Sequence, residues 1–289
     1  MAAVPASDRS PRATFNRVAA LYDKMRPGYP AAVCADVEAI AGLGVGSRLL
    51  EIGSGTGHAT LEFAERGLRI DCVELGAEMA AIARDRLAAF PSVTITVADF
   101  DQWTPGTGVE EGQIHDERIE DPPILNAAYD LAYAATAYHW LNPQTRVSRI
   151  AGMLAPLGWL AIWRNHPVRG PAASDEFVAA SQRIYARHAP ALAARFTGFP
   201  PAEDIPTTER GEWLASGLFD HAQTRLYPWS IKYTAEEQVR VLGTYSDHLL
   251  LAGDARERLF GELGRLVEEF GGSVTREFAT LLQIAQKRG

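Results

Sequence analysis

Cysteine, basic charge and long apolar runs are all scarce in this sequence, and each scarcity removes a class of protein. Only two cysteines occur in 289 residues, Cys34 and Cys72. One falls in an expected helix and the other in an expected strand, which suits reduced thiols buried as small hydrophobes and predicts a cytoplasmic protein. No segment reaches the roughly 20 apolar residues of a membrane span. The opening MAAVPASDRSPRAT has no apolar core of a signal peptide, and residues 1–14 are expected to be disordered. Lys and Arg total 28 against 36 Asp and Glu, a net charge of -8. That balance argues against nonspecific binding to nucleic acid or to an anionic membrane. No histidine–cysteine cluster has metal-ligand spacing, so no metal is expected, and Ser54 lacks the G-x-S-x-G elbow of a hydrolase. Oligomeric state is not legible.

What is present starts at Leu49–Thr60, LLEIGSGTGHAT. Arg48 to Ile52 is a short apolar run with one acid, the pattern of a buried parallel strand. Gly53, Gly55 and Gly57 follow at alternate positions. Without a Cβ the backbone can turn sharply and let a ligand lie against it, and a helix from about His58 would aim its N-terminus at that ligand. A dinucleotide fingerprint needs a small residue at the last position of G-x-G-x-x-G, to let helix pack on strand. Here that place is His58, or Thr60 counting from Gly55. A carboxylate two residues before the first glycine fits a nucleoside that carries an amino group and no pyrophosphate, S-adenosylmethionine.

Beyond Ser47, strands and helices alternate, which implies a parallel sheet covered on both faces. With 47% hydrophobic residues the chain can bury a full core. Strands are expected at 48–52, 69–75, 93–98, 129–135 and 159–163, with helices at 59–66, 78–90 and 144–154 between them. After Asn165 the alternation stops. Helices are expected at 176–188 and 255–270, an edge strand around Tyr227–Tyr233 that contains Pro228, and a last strand at 274–284. The fold class is therefore α/β, a doubly wound, mostly parallel Rossmann-like sheet with N-terminal helices and a helical cap from the C-terminal part. Residues 15–46 would cover the cofactor, 47–166 form the binding core, and 167–289 supply the cap and closing strands. Within the core, 106–123 reads as a mobile insertion.

Ligands of such sheets bind outside the carboxyl ends of the strands. Glu51 can accept a hydrogen bond from the ligand's ammonium or cap the turn's own N–H groups. Glu74 ends the second strand, where a carboxylate can accept both ribose hydroxyls. Asp99 can receive an adenine amino group, with Phe100 covering the ring or packing as core. His139 and Trp140 follow the fourth strand, where an imidazole could take a proton near neutral pH or serve only as a hydrogen-bonded element of the fold.

These residues carry a resemblance to class I S-adenosylmethionine-dependent methyltransferases of the small-molecule kind grouped with the trans-aconitate methyltransferases. It rests on LYDKMRPGYP, LLEIGSGTGHAT, Val73–Leu75, Ala98–Phe100, AYHWLNP and TYSDHL. The resemblance implies S-adenosylmethionine as cofactor and S-adenosylhomocysteine as product. Gly53, Ser54, Gly55 and Gly57 would line the methionine portion, with Tyr22, Arg26 and Glu51 about its amino-acid end. Glu74 and Leu75 would hold ribose and adenine, Asp99 and Phe100 the adenine, and Ala135 would complete the pocket. Tyr29, His139, Trp140, Tyr245 and His248 would face a small-molecule acceptor, with His139 the catalytic candidate. Methylation of a hydroxyl or carboxylate oxygen is the expected reaction. An NAD-dependent oxidoreductase and a noncatalytic S-adenosylmethionine-binding protein are the alternatives.

Overall fold

The computed structural model describes residues 18–105, 128–170 and 175–289, so the expectations for 1–14 and 106–123 lie outside the described residues. The chain divides into two compact units: a core unit of residues 28–164, 207–225 and 281–289, and a second unit of 1–27, 165–206 and 226–280.

The core unit is built on parallel strands. These are β1 (Arg48–Ile52), β2 (Arg69–Glu74), β3 (Val93–Val97), β4 (Tyr129–Ala135) and β5 (Leu154–Pro167). With β6 (Phe219–Thr234) and β7 (Ser273–Lys287) they form one seven-stranded sheet in the order β3-β2-β1-β4-β5-β7-β6. The pairs of β1 with β2 and β4, β2 with β3, and β4 with β5 are all parallel. β7 runs antiparallel. The α/β fold class read from the sequence is the one observed. β1 is buried from Leu49 to Ile52, as a strand covered on both faces must be.

Helices connect β1 to β2, β2 to β3 and β4 to β5. They include α3 (His58–Ala64) and α4 (Ala77–Leu87), preceded by α1 (Ala19–Met25) and α2 (Ala31–Ala41) and followed by α5 (Arg146–Met153). Gly42 ends α2 in the left-handed conformation at φ 63°, its N–H bonded to the Glu38 carbonyl, the usual use of glycine at a helix end. Behind β1 and β4 the rings of Phe63, Tyr133 and Trp163 pack together. Tyr133 and Trp163 stack at 5.3 Å, and such a pair stabilises by about 0.5–1.5 kcal/mol beyond its burial. Trp213, on α8 (Thr208–Ala215), is fully buried and donates to the Tyr138 hydroxyl at 2.9 Å.

The second unit has its own core. Beside α7 (Pro190–Ala193) and α10 (Ser246–Leu249), the helices α6 (Asp175–His188), α9 (Ala235–Leu242) and α11 (Gly253–Glu269) contribute Phe177, Ile184, Leu242, Leu259, Leu263 and Val267 to one apolar cluster. α9 starts at a reciprocal cap: the Thr234 hydroxyl accepts from the Glu237 N–H while the Glu237 carboxylate accepts from the Thr234 N–H. Among the described residues no helix is long and apolar enough to cross a membrane.

Candidate cofactor and acceptor sites

The three glycines after β1 all have positive φ, yet each is needed for a different reason. Gly53 (φ 73°) lies where a Cβ would stand 2.5 Å from the Ala137 Cβ, so the loop after β4 closes against it. At Gly57 (φ 83°) a Cβ would meet Leu87 Cδ1 at 3.0 Å and Ala83 Cβ at 3.3 Å, so this glycine lets the loop pack on α4. Gly55 (φ 57°) is the open one: nothing lies within 4 Å of where its Cβ would be. The neighbouring Ser54 hydroxyl is buried and has no hydrogen-bond partner among the described residues. A buried hydroxyl without a partner is costly, and beside an open glycine it marks a place where a polar ligand fits.

Two carboxylates hold this loop from below and from the side. Glu51 sits on β1 with Cys72 and Tyr133 as its cross-strand partners on either side. Its Oε2 accepts from the Thr60 hydroxyl at 2.5 Å, from the Tyr133 hydroxyl at 2.8 Å and from Cys72 Sγ at 3.7 Å. Glu51 is 1% exposed, and burial pushes its pKa up to about 7 against the pull of the donors. Glu74 engages the loop directly. One oxygen accepts from the Gly55 N–H at 2.8 Å and the other from the Gly76 N–H at 2.7 Å. Burial raises its pKa while these amide donors oppose the shift. Leu75 next to it is 44% exposed, an apolar surface beside the carboxylate.

Beyond β3, Asp99 Oδ1 accepts from the Asp101 N–H at 3.0 Å, closing a tight turn. Phe100 is 5% exposed and belongs to the core cluster, with the Arg149 guanidinium 5.4 Å from its ring centroid. Beyond β4, Ala135 is half-buried and leads to Thr136, which adopts φ 62°. Positive φ at a β-branched residue is strained and marks a constrained turn. The Thr136 hydroxyl pairs with the Tyr29 hydroxyl at 2.9 Å, and Tyr29 packs edge-on to Trp163. The turn then carries His139 and Trp140, whose rings lie 4.7 Å apart. His139 is exposed at one side, yet crowding by the protein, with the charge of Arg164, pushes its pKa down to about 4. Its imidazole is therefore neutral at neutral pH.

Four expected site residues belong to the second unit: Tyr22, Arg26, Tyr245 and His248. There the Arg26 guanidinium bonds Thr244 through its hydroxyl and carbonyl and lies 4.1 Å from the Tyr245 ring centroid and 5.2 Å from that of Tyr22. His248 bridges Asp247 and Tyr185. Sequence reasoning passed over Thr60, Tyr133, Thr136 and Tyr185. Their partners lie far away in the chain or depend on a backbone conformation that no local pattern announces.

Residues 50–160 match the family model described as a methyltransferase domain. Over 166 residues the chain is 28% identical to an uncharacterized methyltransferase of Mycobacterium tuberculosis, covering 56% of this chain and 57% of that protein. The chain thus spans a little over half the length of that relative. Over 213 residues it is 26% identical to a demethylmenaquinone methyltransferase of Tropheryma whipplei, covering 70% of this chain and 76% of that protein. Among solved structures, a putative type II methyltransferase from Anaeromyxobacter dehalogenans superposes with a TM-score of 0.59 at 21% identity, covering 91% of this chain and 97% of that one. The strand order and the glycine loop are those of the fold shared with these methyltransferases, and the family match itself is confined to residues 50–160.

Proposed function

We propose that the protein transfers the methyl group of S-adenosylmethionine to a small-molecule acceptor, with S-adenosylhomocysteine as product. The observation that carries this reading is the pairing of Gly55, left-handed and facing open space, with the orphaned hydroxyl of Ser54. Glu74 connects that loop to the second strand, so one carboxylate could fix the loop and accept ribose hydroxyls with its remaining lone pairs. Leu75 would lie against the adenine, and Asp99 would receive its amino group. Gly53 and Gly57 let the loop take its shape, and Glu51 supports it through Thr60, Tyr133 and Cys72. Position 58 is histidine, which disfavours a dinucleotide at the same loop.

Methyl transfer is an in-line displacement at a carbon already activated by a sulfonium, so alignment of acceptor and methyl supplies most of the acceleration. His139 is a neutral and weakly basic imidazole, better suited to accept a hydrogen bond that orients the acceptor than to strip a proton from it. Tyr29 and Trp140 would flank that acceptor. A hydroxyl or carboxylate oxygen is the proposed methylation target. The relative named as a demethylmenaquinone methyltransferase supports a small-molecule acceptor in general. Release and identification of the nucleoside that co-purifies with the protein tests the reading. Adenosylmethionine or adenosylhomocysteine is expected, and a nicotinamide nucleotide would replace methyl transfer with hydride transfer.

A further inference from the structure

The second unit holds a half-open pocket of about 280 Å3. Its walls are largely aromatic and aliphatic, including Phe177, Phe196, Phe199 and Leu263. An apolar cavity of about 150 Å3 is enough to hold benzene, so this one has room for a substituted ring or two fused rings. Ring-lined walls favour a flat aromatic guest, which can stack or meet them edge-on.

Of the polar groups that line the pocket, Tyr185, His248 and Asp247 form one hydrogen-bonded relay. Burial disfavours the Asp247 carboxylate, but bonds from His248 hold its pKa below the usual range. Asp247 Oδ1 accepts from the His248 backbone N–H at 2.8 Å and from Nδ1 at 2.7 Å, which places the ring proton on Nδ1. In the neutral ring Nε2 is then the acceptor, and the Tyr185 hydroxyl, 2.8 Å away, is its donor. With its proton committed, the Tyr185 oxygen offers only lone pairs to a guest. Gln238 repeats the pattern, 4% exposed with an Oε1 that has no partner. Arg276 also lines the cavity, 5.2 Å from the Phe199 ring centroid, and among the described residues it forms no ion pair. Its charge reaches the Tyr185 hydroxyl and would stabilise electron density on an oxygen bound there.

We propose that this pocket binds a small aromatic molecule bearing a hydroxyl, a phenol-class ligand whose O–H donates to the Tyr185 oxygen. The inference stands apart from the proposed methyl transfer, because occupancy is measured without cofactor. The experiment titrates the full chain calorimetrically with 1-naphthol and with 1-methoxynaphthalene, which has nearly the same shape but no donor. Naphthol is expected to bind more tightly by about fivefold, the worth of one ordinary hydrogen bond. Tyr185→Phe keeps the ring and should erase that preference while leaving the ether unaffected. Leu263→Trp, which fills the cavity, should remove both ligands. Absence of naphthol binding to the folded wild type overturns the proposal, as does equal binding of both probes that Tyr185→Phe leaves unchanged.

Discussion

The glycine loop of the core unit and the cavity of the second unit are both built to hold a ligand, and they are built by opposite means. The loop works with backbone: five residues, three of them at positive φ, with an open face at Gly55 and a carboxylate clip from Glu74. The cavity works with side chains gathered from residues between Pro167 and Arg276, and its polar relay joins Tyr185 to His248 across 63 positions. Backbone sites tolerate almost no change at a few positions. Side-chain sites spread their energy over many contacts, so single changes should cost less. That contrast can be broken or sharpened one substitution at a time.

The largest effect is expected at Gly55→Val. A β-branched residue at φ 57° is strained by about 1–2 kcal/mol, and its side chain would stand where the ligand lies. Cofactor binding should be abolished in a protein that still melts cooperatively, and calorimetry beside a thermal melt checks both. Next comes Glu51→Gln. A carboxyl whose folded pKa is raised from 4.5 to about 7 gives its full stability below pH 4.5 and loses it as pH rises through 7. By linkage the loss approaches about 3 kcal/mol. Wild type should therefore lose stability between pH 4.5 and 8 relative to Glu51→Gln, whose unfolding midpoint should depend less on pH over that interval. Equal slopes would mean that Glu51 titrates normally.

Glu74→Ala should weaken adenosylmethionine by about 1.5–3 kcal/mol, the range for hydrogen bonds to a charged group. Unchanged affinity would remove the ribose contact from this residue. The smallest effect is expected at His139→Ala, with cofactor affinity intact and turnover lowered by less than the roughly 100-fold of a lost general base. Because the folded pKa is depressed to about 4, the imidazole stays neutral until pH falls well below the ordinary 6.5. The nuclear magnetic resonance titration of this ring should have its midpoint near 4, and a midpoint near 6.5 would restore the base reading.

How far the sequence could be read follows the same contrast. Alternating glycines after an apolar run name their own backbone chemistry, and β1 and β4 announce themselves as apolar runs because most of their residues are buried. The edge strand β6 and the bulged β5 do not. β6 begins at Phe219, eight residues before the stretch where alternation is visible, because residues such as Asp220, Gln223 and Arg225 face solvent along the sheet's edge. β5 begins at Leu154 rather than Trp159: Pro156 and Gly158 read as a turn, and the strand absorbs them through a register shift opposite Tyr129 and Leu131. Glu51 was legible as an acid beside the loop. Its bond to Tyr133 was not, because only strand pairing brings residues 82 positions apart into register.

The most direct test is one titration: the wild-type chain against S-adenosylhomocysteine and, separately, against NADH. The account predicts a single saturable site for S-adenosylhomocysteine that NADH neither fills nor displaces. Saturable NADH binding with no heat from S-adenosylhomocysteine would contradict it.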